Sequence, residues 1–265
     1  MLESISFIDC KNTLCTILQI ITEKKPGMYL RFGDGDFNLA ENKDDMLAKS
    51  NTDLKNKMLS SMSIRDDRVM ICIPHHCKEI NTLENGMYPG NHEYPYDYII
   101  RFLTILKQTN DILPSTIYTN IALSYCSVHY PDTVIQLHKE IQKSNVIYIG
   151  NYKYSNEFLK KLFGENLIRI DTNDNNAFDQ METVFEKLNI LMNITYSHIN
   201  YFVIVIAAGC ASRAFASIIY NDFFIKNPNF FLLDYGSLLD YLYGLNTRAY
   251  MDLMPPKKDY ILSRI

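Results

Sequence analysis

The chain has 265 residues, of which 47% are hydrophobic, enough for one substantial core and no second domain. Its formal net charge of −4 excludes a general polyanion binder, because a nucleic-acid partner requires a basic field; any phosphate must be met locally. The longest apolar run, Tyr201 to Ala208, is too short to span a bilayer, so no transmembrane segment is expected. The N-terminus lacks a basic stretch leading into an apolar one, and the six cysteines form no CxxC. Both features predict a reducing, cytoplasmic setting.

In chain order, Ile5, Ile8, Cys15, Leu18 and Ile21 recur near helical spacing, which predicts an amphipathic helix over 5–23, ended by Lys24-Lys25-Pro26-Gly27. Residues 1–27 are thus expected as an N-terminal helix, 28–245 as the core and 246–265 as a C-terminal tail of one domain. Strand-prone runs follow at 28–32, 68–73, 145–149, 167–170, 201–206 and 230–233. Between the later ones lie helical segments near 132–143, 155–163, 177–192 and 210–221, long enough to connect parallel strands. Nearly continuous apolar strands with helices between them indicate burial on both faces. The expected fold is α/β and Rossmann-like, a largely parallel sheet with helices on both faces. The stretch 74–96, rich in Pro, Gly, Asn, His and Tyr, reads as a long loop over a site.

In such sheets ligands lie beyond the carboxyl ends of the strands, so residues just after a strand are the candidates for binding. Arg31-Phe32-Gly33-Asp34-Gly35-Asp36 comes directly after the first predicted strand of the core. Its glycines permit a tight turn, and carboxylates two apart can converge on one hard cation, Mn2+ or Mg2+, completed by substrate phosphate oxygens. Arg31 offers a bidentate phosphate contact. An acidic turn capping the next helix uses the same residue types. Further on, Ala207-Ala208-Gly209-Cys210-Ala211-Ser212-Arg213 ends a strand and opens a helix, whose free N–H groups favour an anion; close packing of helix on sheet accounts for small residues equally well. The segment 171–178, Asp-Thr-Asn-Asp-Asn-Asn-Ala-Phe, leads into a helix that one of its Asn or Asp residues caps, and its side chains could also reach a base or ribose. After the last strand come Asp234 and Asp240. Asp240 is the candidate general base for an acceptor hydroxyl, or else a solvated helix carboxylate. The cluster Cys72-Ile73-Pro74-His75-His76-Cys77 is not expected to bind zinc, since neighbours such as His76 and Cys77 rarely converge on one tetrahedral ion.

Taken together, these segments resemble the GT-D glycosyltransferase family. Its RFGDGE-like motif is matched by Arg31 to Asp36, and its strand ending in glycine by Ile147-Tyr148-Ile149-Gly150. Its Asn-Ala-Phe element is matched by Asn176-Ala177-Phe178, its alanine-glycine strand end by Ala207-Ala208-Gly209, and its closing element by Asp234-Tyr235-Gly236. The resemblance implies a UDP-sugar donor, contacted by Arg31, Phe32, Gly33, Gly35, Gly150, Asn176, Gly209, Ser212, Arg213 and Asp234, with Mn2+ or Mg2+ on Asp34 and Asp36. It implies a glycan, glycoprotein or lipid-linked sugar as acceptor, and an oligomer is compatible with it. Asp36 stands where the family has Glu, and Ser237 where a His often follows the closing glycine. Two other readings share the acidic motif or the nucleotide site. One is a haloacid-dehalogenase-like magnesium phosphohydrolase, which normally has Thr or Val where Asn38 stands; the other is a non-catalytic nucleotide-sugar binding module.

Overall fold

The computed structural model describes residues 6–73, 94–108, 116–119, 127, 129–195, 200–247 and 257–265. Eight strands form one parallel sheet: β1 Ser6–Ile8, β2 Gly27–Arg31, β3 Val69–Ile73, β4 Thr116–Thr119, β5 Asn145–Asn151, β6 Leu167–Thr172, β7 Phe202–Ala207 and β8 Phe230–Asp234. Their order is β1-β4-β3-β2-β8-β7-β5-β6. The helices are α1 Cys10–Thr22, α2 Asp34–Ala40, α3 Thr52–Met62, α4 Tyr94–Gln108, α5 Pro131–Gln142, α6 Asn156–Phe163, α7 Met181–Ile190, α8 Ala211–Ile219, α9 Leu238–Tyr243 and α10 Lys258–Leu262. Among the described residues no helix is long and apolar enough to cross a membrane.

Because strand side chains alternate, a run that is apolar throughout feeds two layers at once. Along β7, Phe202, Ile204 and Ile206 enter one layer with α2, α3, α4, α7 and α8. Val203 and Val205 enter the other with α1, α5, α6, α9 and α10. Each of these side chains is fully buried, which contributes roughly 1.5–3 kcal/mol apiece. The second layer also holds a polar pair. His138 of α5 approaches Leu162 O through Nδ1 (3.1 Å) and Tyr235 Oη through Nε2 (2.7 Å), so the fully buried ring is satisfied as a neutral imidazole donating at Nδ1 and accepting at Nε2.

The single helix expected over 5–23 is divided. Asp9 accepts the Asn12 N–H (2.8 Å) and caps α1 there, which leaves residues 6–8 extended to pair with Thr116, Ile117 and Tyr118. The expected strands lack both β1 and its partner β4. The helix read at 177–192 is a 3-10 turn over Ala177–Gln180, then α7, then a π turn over Leu191–Thr195. In the expected tail, α10 buries Ile261 in the second layer. Of the loop read at 74–96, residues 74–93 lie outside the described residues, and α4 begins at Tyr94.

The chain runs outward from β2 through β3 to β4 on one side, while β5 to β8 occupy the other. The strand order therefore reverses where β2 meets β8, and a crevice at the carboxyl ends of the strands follows from that reversal.

Candidate active site

The crevice is a pocket, and each nearby strand end supplies part of its wall: Arg31 from β2, Asn151 from β5, Asp174 after β6, Gly209 after β7, and Asp234 and Gly236 from β8. Gly209 turns the chain with φ of 58°, and Ser212 Oγ accepts the Ala208 N–H (3.0 Å), so the turn delivers the N-terminal end of α8 to the pocket. Gly236, with φ of 63°, lies flat against Arg31: a Cβ there would come within 2.7 Å of Arg31 Nη2. Gly236→Ala is therefore expected to push the guanidinium away from this wall, a shift that a crystal structure of the variant measures directly.

Set into this wall is a buried ion triad. Arg213 donates through Nε to Asp36 Oδ1 (2.8 Å) and through Nη1 to Asp234 Oδ2 (2.5 Å), and all three residues are at most 4% exposed. Asp36 Oδ2 accepts the Gly33 N–H (2.8 Å), closing the first turn of α2 as a capping box. Burial pushes Asp36 up to about 6, against the pull of Arg213 and of the Gly33 hydrogen bond. Burial disfavours the charge on Arg213, yet Asp36 and Asp234 together hold its pKa above the ordinary arginine value.

The carboxylate pair expected to hold Mn2+ or Mg2+ is placed differently from that expectation. Asp34 and Asp36 occupy the first turn of a helix, where residues two apart point roughly 200° away from each other. Asp34 is exposed, while both oxygens of Asp36 already carry donors. These side chains as placed do not form a chelating pair, and among the described residues no group of three or more His, Cys, Asp or Glu could hold a metal ion. Cys72 lies buried in β3, and His75, His76 and Cys77 lie outside the described residues.

Asp240, at the start of α9, lines the opposite wall. Its Oδ1 accepts from Tyr154 Oη (2.6 Å) and pairs with Lys153 Nζ (3.0 Å), and its Oδ2 accepts from Thr247 Oγ1 (2.8 Å). Three donors, one of them an ammonium, thus converge on Asp240, which ties Lys153, Tyr154 and Thr247 together at this wall. Lys153 also lies 3.4 Å from Asp174, which in turn accepts from Asn151 Nδ2.

Of the residues expected in the site, the pocket gathers Arg31, Gly209, Arg213, Asp234 and Asp240. The others do not line this pocket. Phe32 is wholly buried, its ring 6.0 Å from Phe102. Gly35 gives room to Asp45 and Cys210, whose atoms would lie 2.6 and 2.9 Å from a Cβ. Gly150 leaves space for Tyr148 Oη, and Asn176, in the left-handed region, accepts the Lys49 N–H and donates its own to Leu47 O. Asn151, Lys153 and Tyr154 were not singled out in the sequence; β5 continues one residue past the glycine taken as its end, and the strand-end rule applied there leads to them.

No family model matches the chain, and no curated protein is found to be similar to it. Solved structures do match. The chain superposes over 97% of its length on 97% of a protein from Streptococcus sanguinis described as a new glycosyltransferase (DUF1792), with a TM-score of 0.65 and 16% identity. It also superposes over 91% of its length on 83% of a structure of the highly conserved domain of unknown function 1792, described as having a distinct glycosyltransferase fold, with a TM-score of 0.60 and 14% identity. The chain thus has the fold described for domain of unknown function 1792.

Proposed function

We propose that the chain is a glycosyltransferase that binds a nucleotide-sugar donor, a UDP-sugar, in the pocket at the carboxyl ends of β2, β5, β7 and β8. The observation that carries this reading is the pairing of Arg31 with the N-terminal end of α8 at one wall, facing the polar wall of Asn151, Lys153, Asp174 and Asp240. The first wall suits a diphosphate: the guanidinium offers two parallel donors, and the helix end adds an electropositive position, its Ser212 and Arg213 N–H groups being held by Gly209 O and Cys210 O. Stabilising the charge that builds on a departing nucleoside diphosphate accelerates transfer, and fixed donors do so without reorganising. The second wall suits hydroxyl-rich groups, because carboxylates accept from them while an amide and an ammonium donate.

In this reading the acceptor is a glycan, a glycoprotein or a lipid-linked sugar, and the enzyme works in the cytoplasm. The buried Cys72 and Cys210 are free thiols, as a reducing compartment allows. Mn2+ or Mg2+ enters the proposal through Asp34 alone, an exposed carboxylate that would meet the ion together with substrate phosphate oxygens, while Asp36 stays with Arg213 and Gly33. The test is release of UDP from UDP-glucose, UDP-galactose and UDP-N-acetylhexosamines, each with manganese and with chelator. One donor is expected to react at least tenfold faster than the others. Binding of a donor without release of UDP would instead favour the non-catalytic module.

A further inference from the structure

We infer that Asp234 Oδ1 is the acceptor for a hydroxyl group of the bound donor, one that lies next to the donor's diphosphate. This rests on the donor reading above and specifies what the site recognises. Asp234 is 2% exposed and forms part of the pocket wall. Its Oδ2 is taken by Arg213 Nη1, whereas its Oδ1 is sealed from solvent and has no hydrogen-bond partner among the described residues. A buried carboxylate oxygen without a donor is costly, and such atoms in folded proteins are characteristically completed by something that binds. Among the described residues the other buried side-chain atoms in this condition are His129 Nε2, Thr172 Oγ1 and Tyr201 Oη, and none of their residues lines the pocket.

The surroundings decide what kind of group completes it. An anion is repelled by the carboxylate itself. A cation at Oδ1 would meet the guanidinium of Arg213 on the same carboxylate, with Arg31 packed on Gly236 two residues along. A neutral hydroxyl has neither conflict. Arg31 offers the adjacent anion site, so the hydroxyl sits close to a phosphate. A nucleotide sugar has two such sources: the hydroxyls of the transferred sugar beside its anomeric phosphate, and those of the ribose.

The experiment compares, by titration calorimetry, the binding of UDP-glucose, its 2-deoxyglucose analogue, and its 2′- and 3′-deoxyuridine analogues to the parent and to Asp234→Asn. In that variant the amide oxygen stays on Arg213, so the NH2 group replaces Oδ1 and the charge is gone. The parent is expected to bind one analogue about 10- to 100-fold more weakly than UDP-glucose, and the variant to bind all four nearly equally. Selective loss with the 2-deoxyglucose analogue assigns the oxygen to the transferred sugar; loss with a ribose analogue assigns it to the nucleoside. Equal binding of all four by the parent overturns the inference, and so does full discrimination retained in the variant. Discrimination that appears only when manganese is added gives Oδ1 to an ion and overturns it too. If the variant does not fold, the parent series decides alone. Failure of the parent to bind UDP-glucose at all removes the donor reading itself, an outcome distinct from the others.

Discussion

Arg213→Met is expected to lower the free energy of unfolding by about 3–5 kcal/mol, a large part of the stability of a chain this size. The guanidinium is the one charge that Asp36 and Asp234 share in a region closed to water. Removing it leaves two carboxylates buried side by side. Both must then take up protons or draw water into the layer between the sheet and α8, and either course destabilises the fold. Urea unfolding at pH 7 measures the loss through the midpoint at constant slope. By the same reasoning Asp36→Asn, which removes one of the two carboxylates that hold the guanidinium, is expected to lower stability measurably as well.

The second large effect concerns His138 and pH. Burial lowers its pKa from 6.5 to about 4, against a raising influence from its hydrogen bond to Leu162. The unfolded chain therefore binds a proton between pH 6.5 and 4 that the folded chain refuses. Stability from this group is complete above pH 6.5 and is lost as pH falls through 4, a change of ~3 kcal/mol. Asp36, pushed up to about 6, works in the opposite sense, because there the folded chain holds the extra proton as pH falls. The contribution of His138 is isolated by comparison with His138→Gln, whose amide can donate to Leu162 O and accept from Tyr235 Oη. The difference in unfolding free energy between the two proteins should shrink by ~3 kcal/mol from pH 7 to pH 4. A constant difference would show that the imidazole titrates normally.

The strands of the core were legible because parallel strands buried on both faces are apolar throughout, and YFVIVI can hardly be anything else. What escaped was short or absorbed by a neighbour. β1 has three residues, and its Ile8 falls in step with the apolar stripe of α1, so a helical period ran through a strand. β4 has only four, TIYT, too few to establish a period of two. The site was legible to the level of the strand end and no finer. Arg31, Gly209, Asp234 and Asp240 line the crevice because the topology brings the strand ends together there. Where the side chains of Asp34 and Asp36 point depends on whether the acidic turn is a loop or the first turn of a helix, and both conformations favour the same residue types. The partnership of Asp36 with Arg213 spans 177 positions, and no local pattern announces it.

The place of β1 bears on how the chain assembles as it is made. Its partner residues begin at Thr116, 110 positions after Ser6, whereas β5 and β7 pair across 57 positions, from Asn145 to Phe202. At roughly 5–20 residues per second, the ribosome delivers β4 about 5–20 s after β1. Throughout that interval Leu14, Ile17 and Ile21 of α1 lack α5, the helix beside them in the second layer, because it is made later still. β1 and α1 are thus made well before the elements that hold them, and the apolar stripe of α1 stays uncovered by α5 throughout the interval.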